Sequence, residues 1–422
     1  MVFKSSSYFK GCVKIKKRNT LVCLDVGTSC IKAALAEVHY GQELNILAVA
    51  QRPSFGLRKG NIIDIEATAR AINDCLNELE RLTGIEIENA LVGFSGVNIY
   101  AISNHSVVAV GNPNNEISEE DKDRVLQSAR NMALPSDKTI IQTIERQYIV
   151  DGFDGVKEPI GMVGSRLEVE VVVIVAATAA IQNLYRSAQR INLEIDKVAF
   201  RPVIEAEAVL LESEMEMGVA LVDIGGGTTE ISFFEGGSLF NTSVLPVGGE
   251  YITKDLAIVL RTSIEEAKRV KEQFGVASAV KARNDLMVNV KSIHGKEVKQ
   301  YSQQVIADII SARVLEIVEM IYAELREFGC LEKLPGGIVL TGGEAQLQGI
   351  AEFMEEYMQI PVRIGTPENI RGIQTDYNKP QYASVIGGLI YTAKSANYYD
   401  EENPRFSSII DRITFWFKDL FR

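Results

Sequence analysis

The sequence predicts an α/β protein made of two similar halves around a cleft that takes a phosphate-bearing ligand. Three stretches predict it. Ala220-Leu221-Val222-Asp223-Ile224-Gly225-Gly226-Gly227-Thr228-Thr229-Glu230 joins an apolar run to a carboxylate and a glycine turn, the pattern of a strand that ends in an anion cradle. Without a Cβ at Gly225, Gly226 or Gly227, backbone N–H groups can approach an anion, and Thr228 and Thr229 add hydroxyl donors. Leu21-Val22-Cys23-Leu24-Asp25-Val26-Gly27-Thr28-Ser29 repeats the plan near the start of the chain. Gly336 to Gly343 supplies a further strand whose carboxyl end carries Gly342 and Gly343, and ligands of open α/β sheets sit at that end. Taken alone, the Asp223 turn also fits a plain glycine hairpin; its echo at Asp25 favours two loops gripping one triphosphate from opposite sides.

The first half opens with the strand before Asp25, then Ile31 to Glu37 and Leu44 to Gln51 as further strands. Positions 69, 72, 75, 76 and 79 recur at helical spacing over Ile65 to Leu82, and Thr83-Gly84 ends that helix. Lys32 can reach a phosphate, although a solvated surface lysine is the simpler reading. Leu91 to Ser95 and Val107 to Val110 read as strands, Ser118 with Asp121 caps a helix to about Leu134, and Thr139 to Asp151 is strand-like. Val169 to Ala177 is an apolar strand, Ala180 to Asn192 a helix, and Arg201 to Leu210 the helix that passes between the halves. Past the Asp223 loop, Gly236-Gly237 closes a hairpin and Gly248-Gly249-Glu250 leads into a helix. Glu265, Lys268 and Arg269 lie three or four residues apart on the next helix and share a face, which by itself fits a solvated, salt-bridged surface. A hairpin over 278–300, a helix from Ser302 to Phe328, a helix from Leu347 to Met358 and a strand at Pro361 to Ile364 follow, and a helix from Tyr382 to Ala393 is the closing one.

At 422 residues the chain can bury more than one core, and 46% hydrophobic with 24% charged residues is ordinary for a globular protein. A formal charge of -12 argues against a broad nucleic-acid surface. Five cysteines without metal-ligand spacing suit a reducing compartment, and with only His39, His105 and His294 a histidine metal site is not expected. No apolar run approaches the ~20 residues of a membrane-spanning helix.

Together the three glycine motifs resemble the nucleotide signature of the actin, sugar kinase and heat-shock chaperone ATPase superfamily. That resemblance implies duplicated ribonuclease-H-like halves around ATP and Mg²⁺, with Asp25 and Asp223 serving the metal. It also implies an adenosine role for Glu265, Lys268 and Arg269, as in the chaperone branch. Ile117-Ser118-Glu119-Glu120-Asp121, Gln147 to Gly152, Pro159-Ile160-Gly161-Met162 and Arg166-Leu167-Glu168-Val169 resemble the differently placed insert, called 1C, of the bacterial cell-division FtsA family. The likeness runs from about Leu21 to the last residue. It implies a basic leader over 1–20, a first half over 21–83, 169–200 and 380–394, and an insert over 84–168. The second half would then cover 201–250 and 330–379, with an adenosine-side subdomain at 251–329, a linker at 395–408 and an amphipathic tail at 409–422.

By that resemblance the protein is an ATP-binding division adaptor on the cytoplasmic face of the cell membrane at the division site. Its partners would be the C-terminal peptide of FtsZ at 251–329, further copies of itself in a filament, other division proteins through the insert, and anionic lipids. Several relatives place an acid before the proline of the crossing helix, where this chain has Arg201; Glu205 and Glu207 are the candidate replacements, and hydrolysis is expected to be slow. In the tail, Ile409, Ile410, Ile413, Trp416, Phe417, Leu420 and Phe421 fall on one helical face flanked by Arg412, Lys418 and Arg422, a pattern for lying in a membrane interface. Docking onto its own domain is the other reading of that tail. The rival functions are a small-molecule kinase of the same superfamily and a PilM-type pilus-assembly ATPase.

Overall fold

The computed structural model describes residues 20–395, apart from 40–42, 112, 296, 369 and 373–376. The leader before Thr20, the linker beyond Ser395 and the tail therefore lie outside the described residues.

The chain begins with the antiparallel meander β1 (Thr20–Val26), β2 (Cys30–His39) and β3 (Glu43–Pro53), followed by the small hairpin β4 (Leu57–Arg58) and β5 (Asn61–Ile62). Helix α1 (Ile65–Thr83) starts where the Asp64 carboxylate accepts the Ala67 N–H, and it stops at Gly84, whose φ of 67° a side chain would disfavour. Its buried residues include Ala69, Ile72, Cys75, Leu76 and Leu79, so the helical period marks the face that packs on the sheet. β6 (Asn89–Phe94) returns to lie parallel to β1.

An inserted unit follows, with β7 (Tyr100–Ala109), α2 (Glu119–Arg130), β8 (Lys138–Val150), β9 (Phe153–Val156) and β10 (Arg166–Ala177). Its sheet has the order β7-β10-β8-β9. A complete capping box starts α2: Ser118 Oγ accepts the Asp121 N–H, and the Asp121 carboxylate accepts the Ser118 N–H at 3.0 Å. Burial opposes ionisation of Asp121, yet the Ser118 hydroxyl and N–H, the Gly111 N–H and Arg124 hold its pKa well below the usual carboxylate range.

Helix α3 (Thr178–Gln189) and β11 (Glu194–Phe200) complete the first half, and α4 (Arg201–Val209) crosses to the second. There α5 (Glu212–Met217) precedes β12 (Val219–Ile224), β13 (Thr229–Glu235) and β14 (Ser238–Leu245). After α6 (Gly249–Leu260) and α7 (Ile264–Phe274) come β15 (Met287–Lys291), β16 (Val298–Ser302) and the long α8 (Gln303–Glu327). β17 (Ile338–Thr341), α9 (Ile350–Met358), β18 (Val362–Ile364) and α10 (Ala383–Ser395) close the described chain.

The two large sheets are duplicates in topology. Their orders, β3-β2-β1-β6-β11 and β14-β13-β12-β17-β18, each contain an antiparallel meander of three strands followed by two parallel strands. Helices α4 and α10 cross between the halves, where Gly387 lies directly against the Ile204 carbonyl.

The strand pairing moves both edges of the insert from the expected 84–168. β6 belongs to the first sheet, while β10 belongs to the insert's sheet through Ala177. β10 is buried on both faces: Val172, Ile174 and Ala176 enter the first-half core, and Val171, Val173 and Val175 enter the insert's own. A strand buried on both faces loses its alternation, so its sequence does not show which sheet it joins.

Candidate functional site

The meander of each half ends its first strand in a carboxylate. Asp25 sits in β1 opposite Lys32 of β2, and Asp223 sits in β12 opposite Glu230 of β13, so the two hairpins match in register seven residues on from each aspartate. The turns that follow, Gly27-Thr28-Ser29 and Gly225 to Thr228, touch each other. A Cβ on Gly226 would overlap Ser29 Oγ, and one on Gly227 would lie 2.7 Å from the Thr28 methyl. Thr28 Oγ1 accepts the Gly60 N–H at 3.0 Å, and Ser29 Oγ donates to Glu250 at 2.9 Å. Gly225 and Gly226 turn their carbonyls to the N–H groups of Gly249 and Glu250 at the start of α6, both at 2.9 Å. Thr229, by contrast, is fully buried and bonds the Val247 carbonyl at 2.9 Å. The third turn closes against the second, since a side chain on Gly342, at φ 89°, would strike Asp223 and the Ile224 carbonyl. Beside Gly343 there is open space.

Beneath the turns lies a buried ring of charge centred on Arg201, the first residue of α4. Its Nη1 is 3.4 Å from Asp25, its Nε is 3.8 Å from Asp223 and 3.9 Å from Glu205, and its Nη2 bonds Glu230. Lys32 Nζ reaches Asp25 at 3.1 Å, and Ser384 Oγ of α10 donates to the same carboxylate at 2.8 Å. Lys32, with only 17% of its side chain exposed, is therefore a member of the ring and not the solvated lysine the sequence suggests. Burial works against ionisation of Asp25, but Lys32, Arg201 and the Ser384 hydroxyl hold its pKa below the ordinary value. Glu205 goes the other way: burial, then the neighbouring Asp223, push its pKa up against the opposing pull of Arg201.

Asp223 Oδ1, Glu205 Oε2, Glu230 Oε2, Arg201 Nε and Ser95 Oγ are buried in the ring without a well-formed hydrogen bond, although a protonated Glu205 can share its proton with Asp223 and the Ser95 hydroxyl interacts with Glu230. Orphaned buried polar atoms are rare and costly, so such a concentration marks a place built for a further polar group. Among the described residues no group of three or more His, Cys, Asp or Glu is arranged to hold a metal ion by itself. A hydrated Mg²⁺ shared with phosphates needs only one or two carboxylates, and Asp25 and Asp223 with their neighbours fit that use.

Glu207 is not brought to the ring, and Arg269 does not join Glu265 on the face of α7 expected at the adenosine. Glu207 is two positions past Glu205, about 200° around the helix, and bonds Lys394 of α10 at 2.6 Å. Of the replacement acids only Glu205 faces the cleft. On α7, Arg269 is taken by Glu266 at 2.7 Å and by the Asn289 carbonyl at 2.8 Å, so it turns to β15 and does not cluster with Glu265. Lys268 lies exposed, 3.8 Å from Glu272, which is the salt-bridged surface foreseen as the alternative. Sequence reasoning missed Lys271, one turn beyond Lys268 on the same face, which bonds the Gly249 carbonyl at 3.1 Å and Glu344 at 2.7 Å and so ties α7 to the third glycine turn. It missed Glu230 and Ser384 as well; only the repeated seven-residue spacing of the two hairpins could have pointed to Glu230.

Duplicated five-stranded halves, paired Asp-x-Gly turns and an inserted unit define an actin-like ATPase fold. Solved structures show the same fold: the PilM-PilN type IV pilus biogenesis complex aligns at a TM-score of 0.63 and 17% identity, over 88% of this chain and 98% of that one. MreB 5 of Spiroplasma citri bound to AMPPNP aligns at 0.53 and 16%, over 91% and 98%. The family model "Cell division protein FtsA" matches residues 220–387, and "SHS2 domain inserted in FTSA" matches 96–175. Curated relatives include cell division protein FtsA of Bacillus subtilis, 40% identical over 89% of this chain and 84% of the relative, and that of Pseudomonas aeruginosa, 33% identical over 96% and 99%. The chain belongs to the FtsA family and has a role in cell division.

Proposed function

We propose that this chain is an ATP-binding adaptor that assembles into filaments and tethers the FtsZ ring to the cytoplasmic membrane at the division site. The observation that carries the reading is the meeting of the Asp25 and Asp223 turns over one buried, incompletely bonded ring of charge. Mg-ATP parts the two turns and lies between them, with Gly226, Gly227 and Thr228 donating to phosphates and Asp25 and Asp223 facing the hydrated metal. Gly27, Thr28 and Ser29 line the opposite side, and Gly342, Gly343 and the exposed face of α7 around Lys268 border the adenosine. An opening of this kind couples the nucleotide to the angle between the halves, hinged at α4 and α10.

The subdomain around 251–329 offers a surface that suits a short peptide. Between α6 and α8 lies a groove of about 260 Å³ lined by Ile258, Val259, Ile309, Ala312, Asp255 and Arg313, with Ile258 74% exposed. An apolar floor beside a guanidinium fits the FtsZ C-terminal peptide. Phe153 and Val163 give the insert an exposed apolar surface for filament contacts and for later division proteins. Among the described residues no helix is long and apolar enough to cross a membrane, and the tail at 409–422 is the proposed anchor to anionic lipid.

Asp223→Ala tests the nucleotide site. Because the carboxylate acts through the metal near the terminal phosphates, the variant loses more affinity for Mg-ATP than for Mg-ADP in equilibrium titrations. Unchanged affinity for both nucleotides would remove Asp223 from the site.

A further inference from the structure

We infer that Arg201 is a resident cation of the nucleotide site: its guanidinium takes over part of the charge neutralisation that Mg²⁺ supplies, so the chain binds ATP with weakened dependence on the metal. This rests on the nucleotide reading above and adds a property that neither the fold nor the family assigns.

Three observations carry it. The first is position. Arg201 approaches four carboxylates, and two of them, Asp25 at 3.4 Å and Asp223 at 3.8 Å, are the acids that would face a hydrated metal. A divalent cation arriving there meets carboxylates already engaged by a fixed positive charge.

The second is the comparison of the two hairpins. At the matching register position the first half carries Lys32 opposite Asp25, but the second carries Glu230 opposite Asp223. The second half therefore has an acid where the first has its cation, and Arg201, bonded to Glu230, provides the positive charge from the crossing helix. Without it Lys32 would be the one cation, among the described residues, paired with any of Asp25, Asp223, Glu205 and Glu230. Guanidinium keeps its charge at any working pH, so this cation is never released as a metal is.

The third is unused bonding capacity. Arg201 Nε is buried and without a hydrogen-bond acceptor, while Nη1 lies close to Gly27, where a Cβ would be 3.9 Å away. Nη1, which also serves Asp25, thus reaches the base of the first phosphate turn, while Nε faces Asp223 and Glu205 at 3.8 and 3.9 Å, beyond hydrogen-bond range. A planar guanidinium with open donors suits a phosphate oxygen, and such charge-assisted bonds are about twice as strong as neutral ones.

The experiment is titration of the full-length chain with ATP, once in Mg²⁺ and once in EDTA, for the parent, Arg201→Gln and Arg201→Lys, with thermal unfolding to confirm that each is folded. In the parent, EDTA weakens ATP binding by no more than about tenfold. In Arg201→Gln the penalty of EDTA grows by about 10- to 100-fold over the parent's, the size expected for losing one charge-assisted bond. Arg201→Lys, which keeps the charge and loses the fork, falls between the two. A purely structural arginine would lower the unfolding temperature of Arg201→Gln and leave the ratio of EDTA to Mg²⁺ affinities where it was, and that result overturns the inference. If Arg201→Gln does not fold, the parent and Arg201→Lys decide it: strict metal dependence in the parent, or equal ratios in both, overturns it. A folded parent that binds no ATP even with Mg²⁺ would overturn the nucleotide reading itself, an outcome distinct from binding that is merely metal-dependent.

Discussion

Arg201 is the residue on which the chemistry turns. An acid before Pro202 would orient a water for attack on the terminal phosphate, but the guanidinium that stands there donates hydrogen bonds and can accept no proton from water. Glu205, the acid left facing the cleft, is held by burial towards its protonated form and is a poor base. Isolated protein should therefore turn over ATP slowly in a phosphate-release assay, and rapid multiple turnover by the monomer would contradict this. The sequence made the substitution visible but not its consequence. Arg201, Asp25, Asp223 and Glu230 come from four different elements, and nothing in their spacing says that they share one centre.

At the scale of elements, local signals were legible. Gly84 ends α1, the Ser118–Asp121 box opens α2, and the two Asp-x-Gly turns sit where the apolar runs before them end. Cross-strand register and competition between neighbours were not. Lys32 becomes part of the ring because β2 pairs with β1, and Arg269 prefers Glu266 over Glu265 because Glu266 is also fixed by the Lys291 N–H at 3.0 Å. Those bonds, from Arg269 first, hold the Glu266 carboxyl down to about 2 from an ordinary 4.5. A depressed folded-state pKa gives a contribution that is complete above the ordinary value and is lost as pH falls through the lower one. The urea midpoint of the parent should thus fall more steeply between those pH values than that of Glu266→Gln, and parallel curves would deny the carboxylate this role. The helix crossing makes a second prediction. Because Gly387 lies against the Ile204 carbonyl, Gly387→Val should force α10 off α4 and cost about 1–3 kcal/mol, seen as a lowered unfolding temperature. No loss would mean that the crossing is loosely packed.

At the scale of the whole molecule, the nucleotide, the hinge and the tail form one proposed device. Parting of the Asp25 and Asp223 turns by Mg-ATP would set the angle between the halves, and that angle would set whether copies assemble. Burying about seven apolar tail side chains yields roughly 10–20 kcal/mol gross, and ordering some 14 residues costs a similar amount. On this proposal one tail would bind weakly, and assembly would multiply the attachment without adding a contact. The most direct measurement is co-sedimentation with anionic liposomes, with and without Mg-ATP, for the parent, Asp223→Ala and Trp416→Glu. The parent should sediment with liposomes when Mg-ATP is present and far less without it, Asp223→Ala should lose the response to nucleotide, and Trp416→Glu should stay in solution while still binding ATP. Sedimentation of all three proteins to the same extent, with or without nucleotide, would contradict the coupling.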